Sequence, residues 1–182
     1  LETIGVKFGA NINAYTSLDE TVYNLKAVPT YRSGIVDSCL LILHDWSSFI
    51  SCEDDEIDKE RGVILEEWRT RNTSDRRLWK KSSSILYEGS QYAKRDIIGD
   101  TAIILNFHPD SLRAYYNKWY RPDLQGIIIV GDVDVDYVEN KIKEIFADIP
   151  ARVNPATRIV YDLKKLDTTK VCILTDPEAK YT

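Results

Sequence analysis

The sequence predicts an α+β fold, a two-layer sandwich in which a mixed, mainly antiparallel sheet is backed by helices. Three observations predict it. Residues 5–28 carry two β-branched and aromatic arms around the turn residues "SLDE", the pattern of a hairpin. Several later stretches repeat apolar residues at helical spacing. Between them lies a short apolar run, "GIIIV" at 126–130, which reads as a buried strand. Strands that alternate with helices yet include a hairpin favour a mixed sheet covered by helices over a purely parallel one. A chain of 182 residues with 43% hydrophobic residues, 8 Gly and 6 Pro is long enough and apolar enough to bury a core, and is not a disordered composition.

The elements follow in order. "VKFGANINAYTS" and "ETVYNLKAV" form the hairpin arms. From Ser33 to about Phe49, the residues Ile35, Val36, Cys39, Leu40, Leu43 and Trp46 recur at helical spacing, and "SCEDDEID" then supplies acids for the start of the next helix. That helix runs on through "NTSDRRLWKKSSSILY" with a break, and "EGSQYAKRDIIGD" is a polar loop. A short helix near 100–106 precedes a longer one from Pro109 to about Trp119. Leu112, Tyr115, Tyr116 and Trp119 are its expected packing face, and Pro109 suits its first turn. After "YRPDL" turns the chain, "QGIIIVGDV" is expected as a buried, central strand. "DVDYVENKIKEIFADIP" is an amphipathic helix with Val138, Ile142, Ile145 and Phe146 inward, capped by Asp134 or Asp136. Residues 1–150 are read as one domain, and residues 151–182 as a linker and the beginning of another.

Several functions are excluded or demoted. A net charge of -5, spread without basic blocks, gives no electrostatic support for nucleic acid as a partner. The longest apolar runs are far short of a membrane span. Three widely spaced cysteines make no disulfide framework. The two histidines, His44 and His108, stand in no metal-binding arrangement and are read as structural. Asp132, Asp134 and Asp136 imitate a calcium loop, but no Gly occupies its sixth position and Lys143 stands where a bidentate Glu is needed. The opening "LETIGVKFGA", without Met, is expected to be a trimmed start.

The segment "KERGVILEEWRTR", residues 59–71, raises the functional question. At 100° per residue Glu60 and Glu67 fall on one face, roughly 10 Å apart, flanked by Val63, Ile64 and Trp68. Lys59, Glu66, Arg69 and Thr70 take the opposite, solvated face. A carboxylate on an apolar stripe must be paired, protonated or bound to a metal, because uncompensated desolvation costs several kcal/mol. Arg71, four residues after Glu67, offers an ion pair; a metal is the other reading.

"GANINAYTSLDETVYNL", "DKERGVILEEWR", "HPDSLRAYYNKWYRPDL" and "IIIVGDVDVDYVENKIKEIF", in this order and spacing, resemble the insulinase and pitrilysin family of zinc peptidases. The resemblance implies the mitochondrial processing peptidase-like metallohydrolase fold. It also implies zinc as cofactor, held by an inverted His-x-x-Glu-His helix and by a Glu from a later E-x6-E helix. Here that pattern makes Glu67 the metal ligand and Glu60 the carboxylate supporting it from behind. Zinc-activated water would then cleave a peptide substrate. "NAYTS" is similar to the family's edge strand, so Asn13 and Ala14 would hold the peptide near its scissile bond; the alternative for Asn13 is a strand-end residue bonding its own turn. The family also implies a second homologous half, fused or separate. His-x-x-Glu-His occurs nowhere in these residues. The chain is therefore expected to begin just downstream of its catalytic helix and to be inactive alone, with no catalytic residue and no zinc of its own. A non-catalytic half or peptide-binding scaffold of the same family is the rival reading. Without metal, Glu60 and Glu67 are expected to meet water in an opened cleft, to pair with a base such as Arg71, or to hold a proton, the water-filled cleft being favoured.

Overall fold

The computed structural model of the chain describes residues 11–163, 165 and 167–180. In chain order the elements are β1 (Ile12–Thr16), β2 (Thr21–Leu25), α1 (Ile35–Ser48), α2 (Asp54–Arg71), α3 (Ser74–Leu86), α4 (Thr101–Asn106), α5 (Pro109–Trp119) and α6 (Val135–Ile145), with 3-10 turns at Gln91–Lys94 and Pro122–Leu124. They fall into two compact units, each built from two stretches of chain. One comprises Leu1–Cys52 and Asp110–Arg158, the other Glu53–Pro109 and Ile159–Thr182.

In the first unit β1 and β2 pair antiparallel, Ile12 opposite Leu25 and Thr16 opposite Thr21. "SLDE" closes the hairpin: the Ser17 N–H donates to the Glu20 carbonyl at 2.8 Å, and the Ser17 hydroxyl accepts from the Asp19 and Glu20 N–H groups. Alternation turns Ile12 inward, where it joins Ile35 and Cys39 of α1 in a buried cluster covered by Leu25, Val28, Val36 and Trp46. Tyr23 lies on that same face. Its ring sits 5.4 Å from that of Trp46, and its hydroxyl is 2.6 Å from the Tyr120 hydroxyl. Gly34 starts α1 at φ 74°, a left-handed conformation that glycine adopts without strain.

Helix α6 begins at Asp134, whose carboxylate accepts from the Tyr137 N–H at 2.9 Å. It packs against α1, burying Val138, with Ile142, Ile145 and Phe146 half-buried as its periodicity requires. His44 of α1 is buried beneath its end, stacked on Phe49 at 4.6 Å and edge-on to Phe146 at 5.4 Å.

In the second unit α2 starts with Asp54, Asp55 and Glu56 and ends with Arg69 and Arg71, charges that complement the helix dipole at both ends. The predicted break falls at Asn72 and Thr73, and the Thr73 hydroxyl caps α3 by accepting from the Arg76 N–H. Arg61 leaves α2 to donate to the carbonyls of Ile104 and Phe107 at 2.5 and 2.6 Å, with its guanidinium 3.8 Å from the Phe107 ring centre. It thereby satisfies carbonyls that the C-terminus of α4 leaves without helical partners. Arg76 and Lys80 of α3 bind Asp96 at 2.5 and 2.9 Å. Arg77 grips Asp176 with two hydrogen bonds of 2.7 Å, and also reaches Glu178 and the Asn72 carbonyl at 2.7 Å.

Two expectations are corrected. Residues 126–130 are not a buried central strand. No described strand pairs with them, and Ile128 and Val130 are 86% and 91% exposed. An apolar run becomes a buried strand only when neighbours supply hydrogen bonds on both edges, and composition does not say where those neighbours lie. On α5 only Tyr116 of the four expected residues is buried; Leu112, Tyr115 and Trp119 are exposed. Tyr116 is fixed by its hydroxyl, which donates to the Trp46 carbonyl at 2.9 Å and accepts from the Ile50 N–H. Residues 5–10 of the expected first hairpin arm lie outside the described residues.

Candidate functional site

The residues singled out from sequence fall into two groups, one in each unit. On α2, Glu60 is exposed, and the Glu67 side chain is 38% exposed with its carboxylate 2.9 Å from Arg71. The face they share is not sunk in a core: Ile57 is the one buried residue of the helix, Val63 is exposed, and Ile64 and Trp68 are half-covered. Both acids thus meet more solvent than the apolar stripe implied, and Arg71 takes up Glu67. With Arg71 itself 65% exposed, such an i,i+4 pair contributes at most about 0.5 kcal/mol. It leaves Glu67 available to a stronger cation.

Tested against zinc, which takes three protein ligands in a catalytic site, this group falls short by itself. Among the described residues, no three His, Cys, Asp or Glu side chains are grouped closely enough to hold a metal ion. His44 is committed elsewhere: its Nε2 lies 2.9 Å from Asp148 and its Nδ1 3.0 Å from Asp45. Burial lowers its pKa, but the hydrogen bonds and charges of Asp148 and Asp45 outweigh burial and hold it above the usual histidine value. A histidine facing a carboxylate at each nitrogen is a charged structural clamp rather than a neutral metal ligand.

In the first unit, hairpin register fixes what β1 presents. The Lys26 N–H donates to the Asn11 carbonyl and the Ser17 N–H to the Glu20 carbonyl, so the odd-numbered residues of β1 exchange hydrogen bonds with β2. The even-numbered ones, Ile12, Ala14 and Thr16, therefore turn their N–H and C=O groups to the outer edge. Among the described residues no strand occupies that edge. Asn13, Ala14, Tyr15 and Thr16 are all exposed. The Asn13 carboxamide oxygen accepts from the Ala14 N–H at 2.8 Å, so Asn13 bonds its neighbour on the edge and not the turn. Behind the edge Tyr23, opposite Ala14, ties the hairpin to α1 and to Tyr120; burial, then the Tyr120 hydrogen bond, raises its pKa well above the ordinary tyrosine value, so it stays neutral.

Sequence reasoning missed Arg61 and Asn24. Arg61 carried a faint signal in Asp58 three residues earlier, with which it pairs at 2.8 Å. Asn24, directly opposite Asn13, has a buried carboxamide oxygen that no donor reaches, and an Asn within a strand pattern was its only signal.

Two family models and several known proteins match the chain. The model described as "Insulinase (Peptidase family M16)" matches residues 1–99, and that described as "Peptidase M16 inactive domain" matches residues 106–181. The chain is 36% identical to a probable zinc protease PqqL of Haemophilus influenzae, over 92% of this chain and 17% of that protein. It is 33% identical to the probable zinc protease PqqL of Escherichia coli, over 97% and 19%. The crystal structure of the first half of the periplasmic protease PqqL from Escherichia coli superimposes with a TM-score of 0.82 at 34% identity, covering 90% of this chain and 34% of that one. The chain thus spans under a fifth of the length of these two curated relatives.

Proposed function

Because the chain belongs to the insulinase family of peptidases, we propose that it is the part of a zinc metalloendopeptidase that holds the peptide and supplies one carboxylate ligand. The whole enzyme hydrolyses bonds in peptides or unfolded segments. Glu67 is the zinc ligand, Glu60 orients the site from behind it, and Asn13 and Ala14 hold the substrate near its scissile bond. The observation that carries this reading is the open outer edge of β1, where Ile12, Ala14 and Thr16 turn main-chain groups to which an extended peptide adds as a further strand. The exposed pairing of Glu67 with Arg71 supports its role, since a divalent cation outcompetes so weak a partner. Zinc is the metal in the relatives' names. Its remaining ligands belong to a His-x-x-Glu-His segment absent from these residues, and no bond-breaking step is assigned to the chain's own side chains. On the same reading a second homologous half completes the enzyme. Residues 151–182 are on this reading a linker and the start of a further domain, with Asp176 held by Arg77 of the second unit.

The rival, a non-catalytic half that binds peptides, is favoured by the match of residues 106–181 to the inactive-domain model. Zinc titration by calorimetry separates the two. It is run on this chain and on the natural protein extended to include a His-x-x-Glu-His helix. Tight binding only by the extended protein, abolished by Glu67→Ala and weakened about 10- to 100-fold by Glu60→Ala, supports the enzyme. Equal tight binding by the chain alone overturns it, and a natural protein without His-x-x-Glu-His hands the case to the rival.

A further inference from the structure

The outer edge of β1 carries an unexplained pair of observations. The Ala14 N–H, one of the few main-chain donors aimed at the open edge, is already taken by the carboxamide oxygen of Asn13 at 2.8 Å. Across the hairpin from Asn13 stands Asn24, whose side-chain oxygen is buried with no hydrogen-bond partner, an arrangement that folded proteins rarely leave standing. In the hairpin register Asn13 and Asn24 are a hydrogen-bonded cross-strand pair, so their side chains rise from the same face with Cα atoms ~5.5 Å apart. An asparagine carries both an acceptor and a two-proton donor. Asn13 uses its oxygen on Ala14, so the NH2 group of Asn13 is the donor this pair offers to the oxygen of Asn24.

We propose that Asn13 is a latch on the peptide-binding edge: with no peptide bound it closes the Ala14 N–H, and on peptide addition it swings to donate to the buried carboxamide oxygen of Asn24. This rests on the reading of β1 as the substrate edge. The latch gives the edge two states. Closed, it blunts an open strand against pairing with arbitrary chains, a hazard of any unprotected edge. Open, the Ala14 N–H is returned to the peptide and the buried carboxamide oxygen of Asn24 is satisfied at the same time. The hydrogen bond that Asn13 gives up is thus replaced by two, one to the peptide and one to Asn24. Asn24 is a positioning residue here, since it acts on the peptide only through Asn13.

Two measurements on the chain as it stands test this. In amide hydrogen exchange by NMR, Ala14 is expected to be protected in the wild type and to exchange at least several-fold faster in Asn13→Ala, while Tyr15 and Val22, whose main-chain bonds are within the hairpin, stay unchanged. An Ala14 rate indifferent to Asn13→Ala overturns the latch whatever the peptide does. Binding is followed by fluorescence anisotropy with labelled, reduced and carboxymethylated lactalbumin as an unfolded probe. Asn24→Leu is expected to weaken binding about five- to tenfold, the worth of one hydrogen bond, while leaving Tm unchanged or raised because a stranded acceptor is gone. Asn24→Asp, which keeps an acceptor, is expected to retain binding. If Asn24→Leu lowers Tm and leaves affinity alone, Asn24 is merely structural and the proposal fails. If the wild type captures no probe although Ala14 behaves as a closed latch, the substrate-edge reading itself falls, and the opening half of the proposal with it.

Discussion

At the scale of single residues, charge placement rather than burial decides what each polar group does. His44 is the sharpest case: a buried ring with a carboxylate at each nitrogen and a pKa held above its ordinary value. The protonated form is the one the fold prefers. Its contribution is complete below the unfolded-state value of ~6.5 and is lost as pH rises through the raised folded value. The Asp45 and Asp148 side chains are 60% and 63% exposed, which reduces the effect to about 1 kcal/mol, or roughly 2–4 °C in Tm for a chain of this size. Thermal melts should fall by that amount between pH 6 and pH 8.5. Asp148→Asn should flatten the dependence, and a wild-type Tm that rises over the same interval would show the sign to be wrong.

At the scale of elements, arginine side chains do what loops and caps leave undone. Arg61, with its side chain 13% exposed, donates to two carbonyls at the end of α4. Arg61→Met keeps most of the stem packing and strands those carbonyls. It should cost about 2 kcal/mol, read as faster amide exchange across residues 101–107 with the β1–β2 hairpin unaffected. This element also shows what sequence reveals. The helices were legible because caps, breaks and 3.6-residue periodicity are local: the break at Asn72–Thr73 and the Asp134 cap were visible in the residues themselves. The hairpin was legible because "SLDE" fixes its register. The same periodicity misjudged the face of α5, since it reports that a face is apolar but not what covers it. The spacing of Glu60 and Glu67 was readable, whereas their roles and those of Asn13 and Ala14 came from resemblance. Asn24 was invisible because a stranded acceptor exists only once two strands are paired.

At the scale of the whole molecule, the exposed run at 126–130 dominates behaviour in solution. Ile128 and Val130 lie open in an uncharged stretch that no strand among the described residues pairs with, the kind of segment that recruits other chains. The isolated chain should self-associate with rising concentration. Ile128→Lys with Val130→Lys should shift its sedimentation profile toward monomer without lowering Tm, because neither side chain is packed. An unchanged profile would place the sticky surface elsewhere.

The grip of Arg77 on Asp176 reaches across 99 residues of sequence, and it sets an order of events on the ribosome. At roughly 5–20 residues per second, about 5–20 s separate the emergence of its two ends. Meanwhile the segment 110–158 must appear and be sorted to a different unit. The α2–α3 corner waits for its last strap, and a chaperone that shields nascent apolar surface has its longest opportunity in that interval.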